Sequence, residues 1–167
     1  MAGVSEAAPK RGPPPPPRGP RFDPIDREKT CPLLLRVFTK VFELIHSSVN
    51  QFILAVIDME MAAAIGAHHS NDDFAVRGKE PKDEVQIYTW KDATLREITD
   101  LVKEVAPAAR RRNAKLSFAF VYPDKRGRFL VREVGRTFSY GNGRLDDSKA
   151  LAELGFQIGD YLDVAIV

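Results

Sequence analysis

The stretch VQIYTWKDATLREITDLVKEV, residues 85–105, changes its apolar period partway along and decides the fold. Its first six residues alternate. Val85, Ile87 and Thr89 oppose Gln86, Tyr88 and Trp90, the two-residue period of a strand with one buried face. Thr94-Leu95-Arg96-Glu97 then matches a capping box, in which the threonine hydroxyl and the glutamate each satisfy an orphan amide at a helix start. Leu95, Ile98, Leu101, Val102 and Val105 follow on one stripe, so the spacing predicts an amphipathic helix with Leu101 on its buried face. Pro107 ends or kinks it. A helix with one apolar stripe must lie on something, and the neighbouring sequence supplies a sheet.

Cys31–Lys40 (CPLLLRVFTK) is leucine-rich and β-branched and reads as a first strand, with Leu33, Leu35 and Val37 on one face. Lys115–Tyr122 (KLSFAFVY) places Leu116, Phe118, Phe120 and Tyr122 together. The turn Asp124-Lys125-Arg126-Gly127 joins it to Arg128–Val134 as a hairpin. A Gly-rich loop and a short helical stretch from Asp147 to Leu154 lead to the turn at Gly159-Asp160 and a final strand, Tyr161–Val167. Helices and strands mix without strict βαβ alternation. The fold class is therefore α+β: a β-grasp (ubiquitin-like) domain, a mixed sheet packed on one main helix.

The 44% apolar and 29% charged composition is that of an ordinary globular protein. The single cysteine, Cys31, allows no internal disulfide and no cysteine zinc site, and fits a reducing compartment. It is expected to be an inert thiol, buried or partly buried. No apolar run near the start reads as a signal sequence, and none is long enough to span a membrane. Six of the 25 bases and four of the 23 acids fall in residues 1–29, leaving residues 30–167 with 19 of each. A neutral body argues against a nucleic-acid binder, which needs a basic excess. Residues 1–29 are Pro-rich. Pro13–Pro17 favours polyproline II and cannot pack a core, so this region reads as a disordered arm. The alternative is a docking site for a proline-reading domain.

No constellation supports catalysis, a cofactor or a metal. His68 and His69 are adjacent, and on an extended chain they point to opposite faces and cannot share a metal without a turn; His46 is distant. Asp72-Asp73 and Asp146-Asp147 read as loop caps. Arg126-Gly127-Arg128-Phe129-Leu130-Val131 lacks the aromatic residue after glycine that an RNA-recognition motif requires, so that reading stays second. Phe118 and Phe120 share a face with Leu116 and read as core rather than as stacking platforms. Candidates for partner contact are Tyr88 and Trp90, on the strand face opposite Ile87, and the run Arg110, Arg111 and Arg112. That run reads either as a complement to the helix C-terminus or as a partner for acidic groups.

Ile25-Asp26-Arg27-Glu28-Lys29-Thr30-Cys31-Pro32-Leu33-Leu34-Leu35-Arg36-Val37-Phe38 resembles the opening of the eighteen-kilodalton Sin-three-associated polypeptides. Gln86–Trp90, Leu101–Val105 and Phe156–Ile166 resemble later segments of the same family, in order, and the resemblance is nearest to plant members. It implies a ubiquitin-like fold without catalysis, in an adaptor of the nucleus, with the cytoplasm as a second compartment. It implies the Sin-three histone deacetylase corepressor and transcriptional repressors as partners. A second implied assembly contains Acinus or Pinin and a serine-rich RNA-binding protein, the apoptosis- and splicing-associated complex on exon junctions. Nucleic acid would be met only indirectly.

Val41–Ala64 has no counterpart in the family pattern, where the first strand leads almost directly to a Gly-x-His-His stretch, here Gly66-Ala67-His68-His69. Phe42, Ile45, Val49, Phe52, Val56, Met59 and Ala63 keep a three–four spacing, which predicts an amphipathic helix inserted into the domain at residues 30–167. A second reading is an unspliced intron. Lys40-Val41 can encode an AG|GT donor, and roughly 24 residues correspond to about 72 nucleotides in frame. The final strand runs to Val167 with no glycine tail, so conjugation of the ubiquitin type is not expected.

Overall fold

The computed structural model describes residues 25–41, 68–141 and 146–167. Five strands and one α-helix are formed among them: β1 (Leu33–Val41), β2 (Glu84–Thr89), α1 (Leu95–Val105), β3 (Lys115–Pro123), β4 (Phe129–Phe138) and β5 (Tyr161–Ile166). They make one mixed sheet in the order β2-β1-β5-β3-β4. β1 and β5 run parallel at its centre, and the other neighbouring pairs are antiparallel. This is the α+β, ubiquitin-like architecture expected from the alternating segments and the single striped helix.

α1 lies on the face formed by Leu35, Val37, Ile87, Leu116, Phe118, Phe120, Leu162, Val164 and Ile166, all buried in one apolar cluster with Ile98 and Val102. Phe118 and Phe120 are core, at 0% and 1% exposure. The helix stripe is rotated from the expected one. Leu95, Ile98, Thr99 and Val102 are buried, Leu101 is half-buried, and Val105 is exposed. Thr99 takes the place Leu101 was expected to fill. It can do so because its hydroxyl bonds both the Leu95 carbonyl (2.7 Å) and the Thr137 hydroxyl (2.7 Å), which removes the cost of burying it.

The helix start differs from a capping box in one respect. Thr94 Oγ1 accepts from the Glu97 amide at 3.3 Å, but the Glu97 carboxylate is engaged by Arg27 at 2.7 and 3.0 Å. The remaining orphan amides are served by a distant segment. Leu95 N donates to Lys149 O and Arg96 N to Asp147 O. Residues 147–154, expected as a short helix, are instead consecutive turns; their carbonyls face the α1 amides and Leu151 enters the core. The β3–β4 turn matches its sequence signature. Gly127 has φ +78°, and Asp124 Oδ1 accepts from the Arg126 and Arg128 amides.

The domain begins earlier than composition suggested. Residues 26–30 form a hydrogen-bonded turn held on the domain by Arg27, whereas residues 1–24 lie outside the described residues. The expected helix at Val41–Ala64 also lies outside them, apart from Val41 at the end of β1. Lys40 and His68, the described residues on either side, are neighbours, since Lys40 Nζ donates to the His68 carbonyl at 3.0 Å.

Two outcomes follow from this geometry. Ile98→Ala is expected to lower unfolding free energy by about 2–5 kcal/mol. Leu101→Ala should cost clearly less, because part of that side chain already meets water; equal losses in urea titrations would contradict the stripe described. Deleting Val41–Ala64 leaves three residues to join Lys40 to His68, and four Cα steps reach about 13 Å, enough to close that gap. The shortened chain should unfold cooperatively at an unchanged or higher urea midpoint. A non-cooperative or lowered transition would show that the stretch is integral to the domain.

Candidate protein-binding surface

The sheet face away from α1 has two halves. Over one half lies the segment 68–83. Phe74, from the 3-10 turn Asn71–Phe74, packs edge-on to Phe38 with ring centroids 5.1 Å apart, and Val121, Phe129, Val131 and Tyr161 complete this smaller cluster. The segment is fastened by a carboxylate. Asp163, in the central strand β5, is 0% exposed. Its Oδ2 lies 2.9 Å from His68 Nδ1 and 3.0 Å from the His69 amide, and its Oδ1 lies 2.6 Å from His69 Nδ1. Burial pushes the Asp163 carboxyl up, but the hydrogen bonds and charges of the two histidines outweigh this and hold it below its ordinary value.

The two histidines therefore do not diverge as an extended chain would require. The backbone bends at His68, and both rings reach one acid. Among the described residues no group of His, Cys, Asp and Glu is arranged to hold a metal ion. His68 Nε2 also sits 2.8 Å from Ser117 Oγ, so Asp163, His68 and Ser117 stand in the order of a hydrolytic triad. The setting is that of a clamp. Ser117 is 8% exposed in mid-strand, laddered to Arg136 on one side and Ala165 on the other. Cys31, expected to be buried or partly buried, is exposed, because β1 begins only at Leu33.

The other half of this face is open. Tyr88 in β2 is 65% exposed and stands directly opposite Leu34 of β1, 48% exposed. Leu34 was missed in the sequence, although an apolar residue at an outward position of an alternating strand was its signal. Trp90 is not part of the open surface. It is half-buried, its Nε1 donates to the Thr30 carbonyl at 2.9 Å, and the Arg27 guanidinium lies 5.0 Å above its ring. Arg27 also grips Asp92 and Glu97, and these bonds, to Glu97 first, raise its pKa further above the usual range. Trp90 thus anchors residues 26–30 to the helix start.

The arginine run divides. Arg110 Nε donates to Lys103 O at 2.6 Å and its Nη2 to Glu104 O at 2.8 Å, which complements the α1 C-terminus. Arg111 and Arg112 are exposed. Tyr88 and this run belong to different elements, the edge strand and the loop beyond α1, so the structure does not join the five candidates into one patch. A cavity of about 510 Å³ opens between Tyr122, Arg132, Ile158 and Asp160. Burial pushes the Asp160 carboxyl up.

The clamp has a pH signature. Because the folded-state pKa of Asp163 is depressed below 3.8, its contribution to stability is complete above that pH and is lost as pH falls through the folded value. Asp163→Asn should therefore lower stability at neutral pH and flatten its decline below about pH 4. His69→Ala should cost about 1–3 kcal/mol at neutral pH by leaving Asp163 short of a partner. Wild-type stability at either variant would contradict the clamp.

Comparison with known proteins gives the chain's family. The family model of Sin3 associated polypeptide p18 (SAP18) matches residues 24–166. The chain is 58% identical to the histone deacetylase complex subunit SAP18 of Arabidopsis thaliana, over 98% of this chain and 99% of that protein. It is 49% identical to the human protein of that name, over 86% of this chain and 78% of that protein. The Drosophila melanogaster protein of that name is 42% identical over 85% of this chain and 78% of its own length. The chain belongs to the Sin3 associated polypeptide p18 family.

Proposed function

We propose that this chain is a non-enzymatic adaptor subunit of the Sin-three histone deacetylase corepressor, acting in the nucleus to link deacetylase and transcriptional repressors. The observation that carries the reading is the family match across residues 24–166, together with relatives named as histone deacetylase complex subunits. The geometry supports it in two ways. The polar atoms of Asp163, His68 and Ser117 are engaged in hydrogen bonds within the clamp. The Leu34–Tyr88 pair presents apolar and aromatic surface to solvent on an otherwise ordered sheet. A further part of the proposal, carried by the resemblance at Ile25–Phe38 and Phe156–Ile166, is a second assembly with Acinus or Pinin and a serine-rich RNA-binding protein in mRNA splicing. The RNA-recognition alternative is disfavoured by the burial of Phe118 and Phe120, which puts both rings out of reach of a base.

The test is purification of the tagged full chain from nuclear extract, with deacetylase activity on an acetylated histone peptide and splicing-complex proteins measured in the eluate. Both should co-purify. Leu34→Asp with Tyr88→Asp, at exposed positions that leave the fold intact, should reduce recovery of at least one assembly by about tenfold, the loss of a buried apolar anchor. An eluate without deacetylase activity would overturn the corepressor assignment. Full recovery by the double variant would remove this face from the interface.

A further inference from the structure

The loop that carries the arginine run is built around one residue of β4's extension. Ser139 is 0% exposed. Its amide donates to Ala114 O at 2.9 Å and its hydroxyl to Ala109 O, so residues 109–114 are tied on both sides to the chain that continues into Tyr140. The Ser139 carbonyl accepts from Arg96 Nη2 and from Lys103 Nζ, both at 3.0 Å. Lys103 also stands 4.7 Å from the centroid of the Tyr140 ring, which is 53% exposed. Ser139 thus fixes the backbone of the loop at 109–114, which carries Arg111 and Arg112, beside the chain that enters the exposed Tyr140.

Charge at this corner is unevenly used. Arg96 and Lys103 share Asp100, at 2.9 and 2.8 Å, and Arg110 is spent on helix carbonyls. Among the described residues neither Arg111 nor Arg112 has an ion-pair partner. We propose that the Arg111–Arg112–Tyr140 corner binds an acidic peptide segment of a partner protein. The proposal deepens the reading of the chain as a binding subunit and names the chemistry of one partner contact. Two guanidinium groups on consecutive residues match carboxylates in forked hydrogen bonds, and the tyrosine ring covers the apolar stem of the bound peptide. A short acidic segment fits better than a nucleic-acid strand. Residues 30–167 carry 19 bases and 19 acids, so no net positive charge draws a polyanion to this part of the chain.

The test uses the intact chain and fluorescence anisotropy with two labelled probes: a peptide of a dozen Asp and Glu residues, and an oligouridine of equal length. The peptide should bind, more weakly as salt rises. The double variant Arg111→Glu, Arg112→Glu should weaken it by at least ~10-fold, and Tyr140→Ala by ~3-fold. All three side chains are exposed, so thermal midpoints should match wild type and confirm that folding is intact. No measurable peptide binding, or binding unaffected by the double variant, overturns the proposal. Tighter binding of oligouridine, lost in the same variants, also overturns it and assigns the corner to single-stranded RNA. Deacetylase co-purification is read separately, so failure here is distinguishable from failure of the adaptor assignment.

Discussion

The Asp163 carboxylate lies at the centre of the sheet with no access to water, and much of the molecule's second face exists to satisfy it. An ionised acid in that position is costly unless its oxygens are fully engaged. His68, the His69 ring and the His69 amide engage them. To deliver those groups the chain must bend at His68 directly after the stretch that leaves β1. That bend sets the course of residues 68–83 and brings Phe74 down onto Phe38. One polar interaction thus decides which half of the sheet is covered and which half, at Leu34 and Tyr88, stays open.

The helix on the opposite face is positioned by a comparable accounting of backbone groups. Its first three amides go to Lys149 O, Asp147 O and Thr94 Oγ1, and its final carbonyls to Arg110. With Arg110 used in this way, the next two arginines project from the loop. With Glu97 free of its own box, it can take Arg27 and fasten the incoming chain over Trp90. The surfaces available to partners are therefore what remains after the fold has used its polar groups.

The sequence revealed what periodicity encodes. The alternation in Val85–Trp90, Lys115–Tyr122 and Tyr161–Val167 and the stripe after Thr94 were sufficient for the sheet, the helix and the core phenylalanines. Contacts between distant residues were not legible. Asp163 alternates outward from Leu162 and Val164, a spacing that carries no sign of burial; its burial depends on histidines 94 and 95 residues away. Residues 147–154 have apolar residues that mimic a helix, but their carbonyls were needed by α1. Thr99 displaced Leu101 because Thr137 offered it a hydroxyl. Trp90 looked like an interface residue because the turn at 26–30 that covers it is far away in sequence. At the candidate surface, Tyr88 followed from strand alternation alone, whereas separating Arg110 from Arg111 and Arg112 required the geometry of the helix end.

The most direct test of the central claim is an NMR pH titration that follows the Asp163 carboxyl carbon and the His69 amide together. The carboxyl midpoint should lie below 3.8, and the His69 amide should be protected from exchange until the same protonation step releases it. A midpoint at or above the ordinary aspartate value, or a His69 amide that exchanges freely at neutral pH, would contradict the clamp on which this reading of the fold rests.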